Sequence, residues 1–72
     1  EEELAPRSLP EPVLARVSRV YPGVEIAYAT REFRRSSGPD VVYEVYLRHG
    51  PKIREVEFEA SGQPHGTEEQ VF

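Results

Sequence analysis

Apolar residues recur at Val13, Val17 and Val20, with Leu14 and Tyr21 filling the same stripe, and this spacing predicts a helix. Pro10 and Pro12 set its start, because a proline is tolerated only where its missing N–H has no intrahelical partner. Ser8 with Glu11 spells a capping box, but a cap at Ser8 puts Pro12 where an intrahelical hydrogen bond is needed. With Leu9 as the cap residue, Pro10 and Pro12 become the first and third helical residues and neither loses a bond. Arg16 and Arg19 fall off the stripe toward the C-terminal end, where cations suit the helix dipole. Pro22 stops the helix, and Gly23 takes the left-handed turn that follows. At about three turns the helix is too short to stand alone. It needs a sheet beneath it.

The period then changes from helical to alternating. Residues 24–35 read as a first strand, with Val24, Ile26 and Tyr28 on one face and Ala27 and Ala29 on the other. Phe33 is out of phase with Ile26, which a bulge between Ala29 and Glu32 would repair, unless the outer end simply curls. Residues 36–40 (Ser-Ser-Gly-Pro-Asp) are a turn cluster. Residues 41–49 alternate strictly, with Val41, Tyr43, Val45 and Leu47 on one face and Val42, Glu44, Tyr46 and Arg48 on the other. Gly50-Pro51 predicts a tight hairpin with His49 and Lys52 at its shoulders. Residues 53–60 form the third strand, with Val56, Phe58 and Ala60 toward the core and Glu55, Glu57 and Glu59 in an acidic row outside. Residues 1–7 are an acidic, proline-containing lead, expected to be a flexible arm. Residues 64–72 are a polar tail, mostly disordered or adding a short strand.

The fold expected is therefore α+β in two layers. One N-terminal helix packs on a three-stranded antiparallel sheet, four-stranded if the tail joins it, in a single domain over residues 8–63.

Composition narrows the chemistry. Seventy-two residues without cysteine leave no disulfide, thiolate or zinc ribbon. A formal net charge of −4 argues against a nucleic-acid partner. No apolar run is long enough to span a membrane, and no stretch reads as a signal peptide. Glu55, Glu57 and Glu59 are the usual solubilising row of an exposed strand rather than a catalytic carboxylate pair. His49 and His65 stand in a hairpin and a tail without ligand spacing, so no metal is expected. No serine sits in a nucleophile elbow and no glycine-rich phosphate loop exists. The basic run from Arg31 to Arg35 reads as the solvated end of a strand, with Glu44 and Glu57 as cross-strand partners. No catalytic residue, metal or cofactor is assigned, and the chain is read as a non-enzyme.

One surface stands out. Val42, Tyr46 and Ile53 should point away from the helix, with Ala27 and Ala29, onto a sheet face that nothing in a two-layer fold covers. Exposed aromatic and aliphatic residues gathered on one face suggest a protein-contact surface.

The chain also resembles a family. Leu9-Pro10, Val13, Val17, Val20-Tyr21-Pro22-Gly23 and Ile26, then Val42-Tyr43-Glu44-Val45, a glycine-containing hairpin, and residues 56–62 (Val-Glu-Phe-Glu-Ala-Ser-Gly) are similar in order and spacing to PepSY-like domains. These are small extracytoplasmic modules of bacteria, related in fold to the repeats of the β-lactamase inhibitor protein. The resemblance implies a helix on an antiparallel sheet, a periplasmic or secreted location, and a protein-binding role without catalytic residues. Because such domains occur in peptidase propeptides, it makes peptidase inhibition one activity to consider. Only one repeat is present, so the concave two-repeat surface of the inhibitor protein is not implied. Function is thus expected to be protein binding through the open sheet face, the partner being another protein, a peptidase among the candidates. The alternative is a structural homo-oligomerising domain that pairs with itself through that face or an edge strand.

Overall fold

In the computed structural model, which describes residues 2–33 and 41–65, the chain begins as a strand rather than an arm. Strand β1 (Glu2–Leu4) pairs antiparallel with strand β2 (Glu25–Phe33), setting Glu2 opposite Arg31, Glu3 opposite Thr30 and Leu4 opposite Ala29. This corrects the expectation of a flexible lead. Leu4 packs on the core over the small Ala29, and Glu2 makes an ion pair with Arg31, so both side chains on the inner face have partners. Three residues are too few to show an alternating pattern in the sequence. A short acidic strand at a sheet edge also resists further pairing.

A single 3₁₀ turn, Pro6–Ser8, leads into the helix. Leu9 is buried, and its N–H donates to the Pro6 carbonyl. That bond and the proline that follows hold Leu9 extended. The cap therefore moves one residue on, to Pro10, and helix α1 runs Glu11–Val20 with Pro12 still inside its first turn. Val13 and Val17 are its buried residues, and Tyr21 closes it by donating its N–H to the Val17 carbonyl at 2.8 Å. Gly23 takes the expected left-handed conformation at φ 80°.

Strands β2, β3 (Val41–His49) and β4 (Lys52–Phe58) form an antiparallel meander, and the sheet order is β1-β2-β3-β4. The architecture is α+β, one helix on a four-stranded antiparallel sheet, with the fourth strand supplied by the N-terminus. Leu9, Val13, Val17 and Tyr21 meet Ala29, Val45, Leu47, Val56 and Phe58 in one core. At the hairpin, His49 faces Lys52 across Gly50-Pro51 as expected. Gly50 has φ 62°, and a positive φ followed by proline suits the type II′ turn, whose twist matches that of the strands.

The bulge lies earlier than expected, between Ile26 and Tyr28. Ile26 pairs with Leu47 and Ala29 with Val45, so both belong to the core side, while Tyr28 pairs with Tyr46 on the outer side. The expected faces of Tyr28 and Ala29 are thus exchanged. Passing over Ala27 lets two apolar residues of uneven spacing both point inward, and it leaves the phenol of Tyr28 in water.

Strand β4 ends at Phe58, so Ala60 is exposed and not in the core. The reason is a turn. Gly62 N–H donates to the Glu59 carbonyl and Glu59 N–H to the Gln63 carbonyl, which doubles the chain back before Ala60 can pair. Pro64 bridges Phe58, and His65 N–H donates to the Glu57 carbonyl at 2.8 Å. The turn cluster at 36–40, Arg34 and Arg35, and the tail residues 66–72 lie outside the described residues.

Candidate protein-contact face

Alternation along β3 settles which side chains leave the core. Tyr43, Val45 and Leu47 face the helix, so Val42, Glu44, Tyr46 and Arg48 lie on the opposite side. Register then adds Tyr28, Thr30 and Glu32 from β2 and Ile53, Glu55 and Glu57 from β4. This outer face has two unlike ends.

At one end lie Val42, Thr30 and Glu44, all buried; Val42 has no exposed surface at all. That corrects the assignment of Val42 to a contact surface: it is on the expected face but offers nothing to touch. Thr30 sits opposite Glu44, and its hydroxyl donates to Glu44 Oε1 at 2.7 Å. A buried carboxylate requires such donors, since leaving one without them is costly. Glu44, Glu55 and Glu57 bring their carboxylate oxygens within 4.8 Å of one another. Glu57 stands directly across from Glu44, and like charges so placed repel. Three carboxylates could give oxygen ligands to a hard cation, but only Glu44 is buried, and exposed acidic groups such as Glu55 are common without one.

At the other end the face is open. Ile53 is 54% exposed and Tyr28 41% exposed, and Tyr46 between them is half-buried. The Tyr28 and Tyr46 rings lie 5.2 Å apart at 62°, an edge-to-face pair that holds both rings on the surface. Ile53 is diagonal to Tyr46, since Arg48 is the residue opposite it. The three side chains make one diagonal apolar strip from β2 to β4. Arg48 and Glu25, paired at 3.3 Å, border it. Tyr46 and Ile53 thus lie together on the face away from the helix, with Tyr28 beside them and Val42 apart. Tyr28 escaped sequence reasoning because the expected bulge, between Ala29 and Glu32, lies at least three residues later than the one between Ile26 and Tyr28. The signal that could have found it was the pair Ile26 and Ala29, which share a face only if a bulge falls between them.

The first residue of the basic run, Arg31, is not placed as expected. Arg31 lies opposite Tyr43 on the helix side, and so cannot reach Glu44 or Glu57. It pairs with Glu2 and stands 5.2 Å over the Phe33 ring. The hydrogen bond and charge of Glu2, then Tyr43, hold the Arg31 pKa above its ordinary value despite some desolvation. The guanidinium is charged at every accessible pH. His49 and His65 are not brought together: one faces Lys52 and the other Glu57, about 17 Å apart along β4. His65 Nδ1 instead lies 4.0 Å from Glu59.

Compared with known proteins, the chain matches no family model, no curated protein and no solved structure. Among the described residues no helix is long and apolar enough to cross a membrane.

Proposed function

We propose that this domain is a non-enzymatic, PepSY-like protein-binding module acting outside the cytoplasm, which meets its partner on the sheet face opposite the helix. The observation that carries the reading is the apolar strip of Tyr28, Tyr46 and Ile53. Exposed Ile and Tyr side chains on adjacent strands lose little conformational freedom when covered, and tyrosine is enriched in interface cores. The family and the extracytoplasmic location rest on the residues that carry the resemblance, from Leu9-Pro10 to Ser61-Gly62. A peptidase is the partner class that the resemblance supplies.

Area bears on the choice between a foreign partner and a second copy. A stable symmetric interface needs about 800 Å² from each subunit. Three side chains, two of them roughly half exposed, fall well short of that. A foreign partner shaped to the strip and to the strand edges can supply the remaining area, whereas a pairing confined to the two sheet faces does not. Sedimentation velocity over a rising concentration series is expected to show a monomer throughout. A dimer that disappears in Tyr46→Ser would overturn the reading in favour of self-association.

A further inference from the structure

The β1 edge of the sheet carries a second feature, independent of the outer face. Strands β2 and β3 have nine residues each and β4 has seven, but β1 has three, paired with Ala29, Thr30 and Arg31. Ala29 and Arg31 stand on the helix side of β2, and Phe33 follows them in the same phase. Phe33 lies two residues beyond the last one that β1 covers, and it is 62% exposed. The site along this edge is longer than the strand that occupies it.

Strand β1 also fills its own stretch incompletely. Arg31 donates to the Glu2 carboxylate through Nη2, while its Nε is buried and has no hydrogen-bond partner among the described residues. Nε and Nη2 present their hydrogens to one side of the guanidinium, where a carboxylate can accept both through its two oxygens. Glu2 accepts one of the two. Both side chains of that pair are partly exposed, and such pairs contribute about 1 kcal/mol at most. Leu4, the other anchor, is only partly buried. Terminal segments held in this way open at small cost.

We infer that this edge takes, in place of β1, an extended segment of a partner protein with the pattern apolar-x-acidic-x-leucine. In the register of β1 the leucine lies over Ala29, the carboxylate meets Arg31, and the apolar residue covers the exposed Phe33 ring. Glu2 and Leu4 are the precedent for the acid and the leucine. Arg31 is not a spare cation here: it exchanges one carboxylate for another and gains a bond at Nε. Main-chain hydrogen bonds to β2 supply affinity, and the alternate side chains supply specificity. Replacement is favoured over addition outside β1, because the acidic side chains of β1 resist a further acidic strand.

The test is an NMR titration of the full 72-residue chain with the capped peptide Val-Thr-Glu-Thr-Leu and its counterpart Val-Thr-Lys-Thr-Leu. The glutamate peptide should shift the amides from Ala29 to Phe33 saturably, while those of Glu3 and Leu4 move toward random-coil positions. Because β1 competes for the site, Glu2→Gln should tighten binding about two- to threefold. Phe33→Ala touches only the incoming segment and should weaken it about two- to fivefold. Both side chains are exposed, so both variants keep the fold. Ile53→Ser, on the outer face, should leave the titration unchanged, so edge and face are tested separately. Weaker binding in Glu2→Gln, or β1 amides unmoved at saturation, would overturn replacement. Equal affinity for the lysine peptide, or no saturable shift with either peptide, would overturn the site.

Discussion

Phe58→Ala is expected to abolish the cooperative unfolding transition of this domain. Phe58 has no exposed surface and joins β4 to the helix residues of the core. Removing a buried phenylalanine typically costs about 3–5 kcal/mol, as lost transfer energy plus the cavity left behind. A domain of this size holds roughly 3–5 kcal/mol in total. The substitution therefore removes an amount comparable to the whole. Urea titration followed by circular dichroism checks it: the expected trace is a sloping baseline without a midpoint. A clear transition near the wild-type midpoint would show that the core does not centre on Phe58. Ile53→Ala is the control. It deletes an apolar side chain of similar reach from an exposed site, and surface changes usually stay within about 0.5 kcal/mol.

Gly62→Ala is the second severe change, by a different mechanism. Gly62 has φ 90°, where an L side chain is strained by about 1–2 kcal/mol. The added Cβ would also sit 2.7 Å from the Pro12 carbonyl oxygen and 3.0 Å from its carbon. Backbone on both sides must move, and overpacking of that kind adds about 1–3 kcal/mol. Gly50→Ala separates the two effects. Gly50 also has positive φ, at 62°, but a Cβ there meets nothing within 4 Å. Thermal unfolding should show Gly62→Ala losing at least twice the stability that Gly50→Ala loses. Equal losses would mean that the helix–turn contact yields easily and the strain is purely local.

How much of this was legible in the sequence follows from how many residues each signal spans. The helix stripe and the nine-residue alternation of β3 are long enough for their periods to stand out, and both elements lie where the pattern puts them. The Gly50-Pro51 hairpin was legible because only a few turn types take glycine followed by proline. Strand β1 was not, since three residues have no measurable period and its partner lies 25 or more residues away in the chain. The bulge and the end of β4 are tertiary choices. Ile26 and Ala29 are both drawn inward by their partners Leu47 and Val45, and Ala60 is excluded because it lies inside the turn from Glu59 to Gly62.

For the candidate face, the sequence puts Val42, Tyr46 and Ile53 on the side of the sheet away from the helix, where the structure has them, but does not foresee that Val42 is buried. Tyr46 and Ile53 could be placed by counting alternate residues. The burial of Val42 could not, because alternation reports which face a side chain takes and not what lies over it. Tyr28 belongs beside Tyr46 for the reverse reason: its sequence phase suggested the core, and the bulge turned it out.

The central claim is that the strip of Tyr28, Tyr46 and Ile53 binds another protein. It is tested most directly by paired capture from a bacterial extracytoplasmic extract, using the wild-type domain and the double variant Tyr46→Ser, Ile53→Ser. Circular dichroism must first show both baits equally folded. The account predicts at least one protein retained saturably by the wild type and released by the variant. Identical sets of proteins on both baits would contradict it.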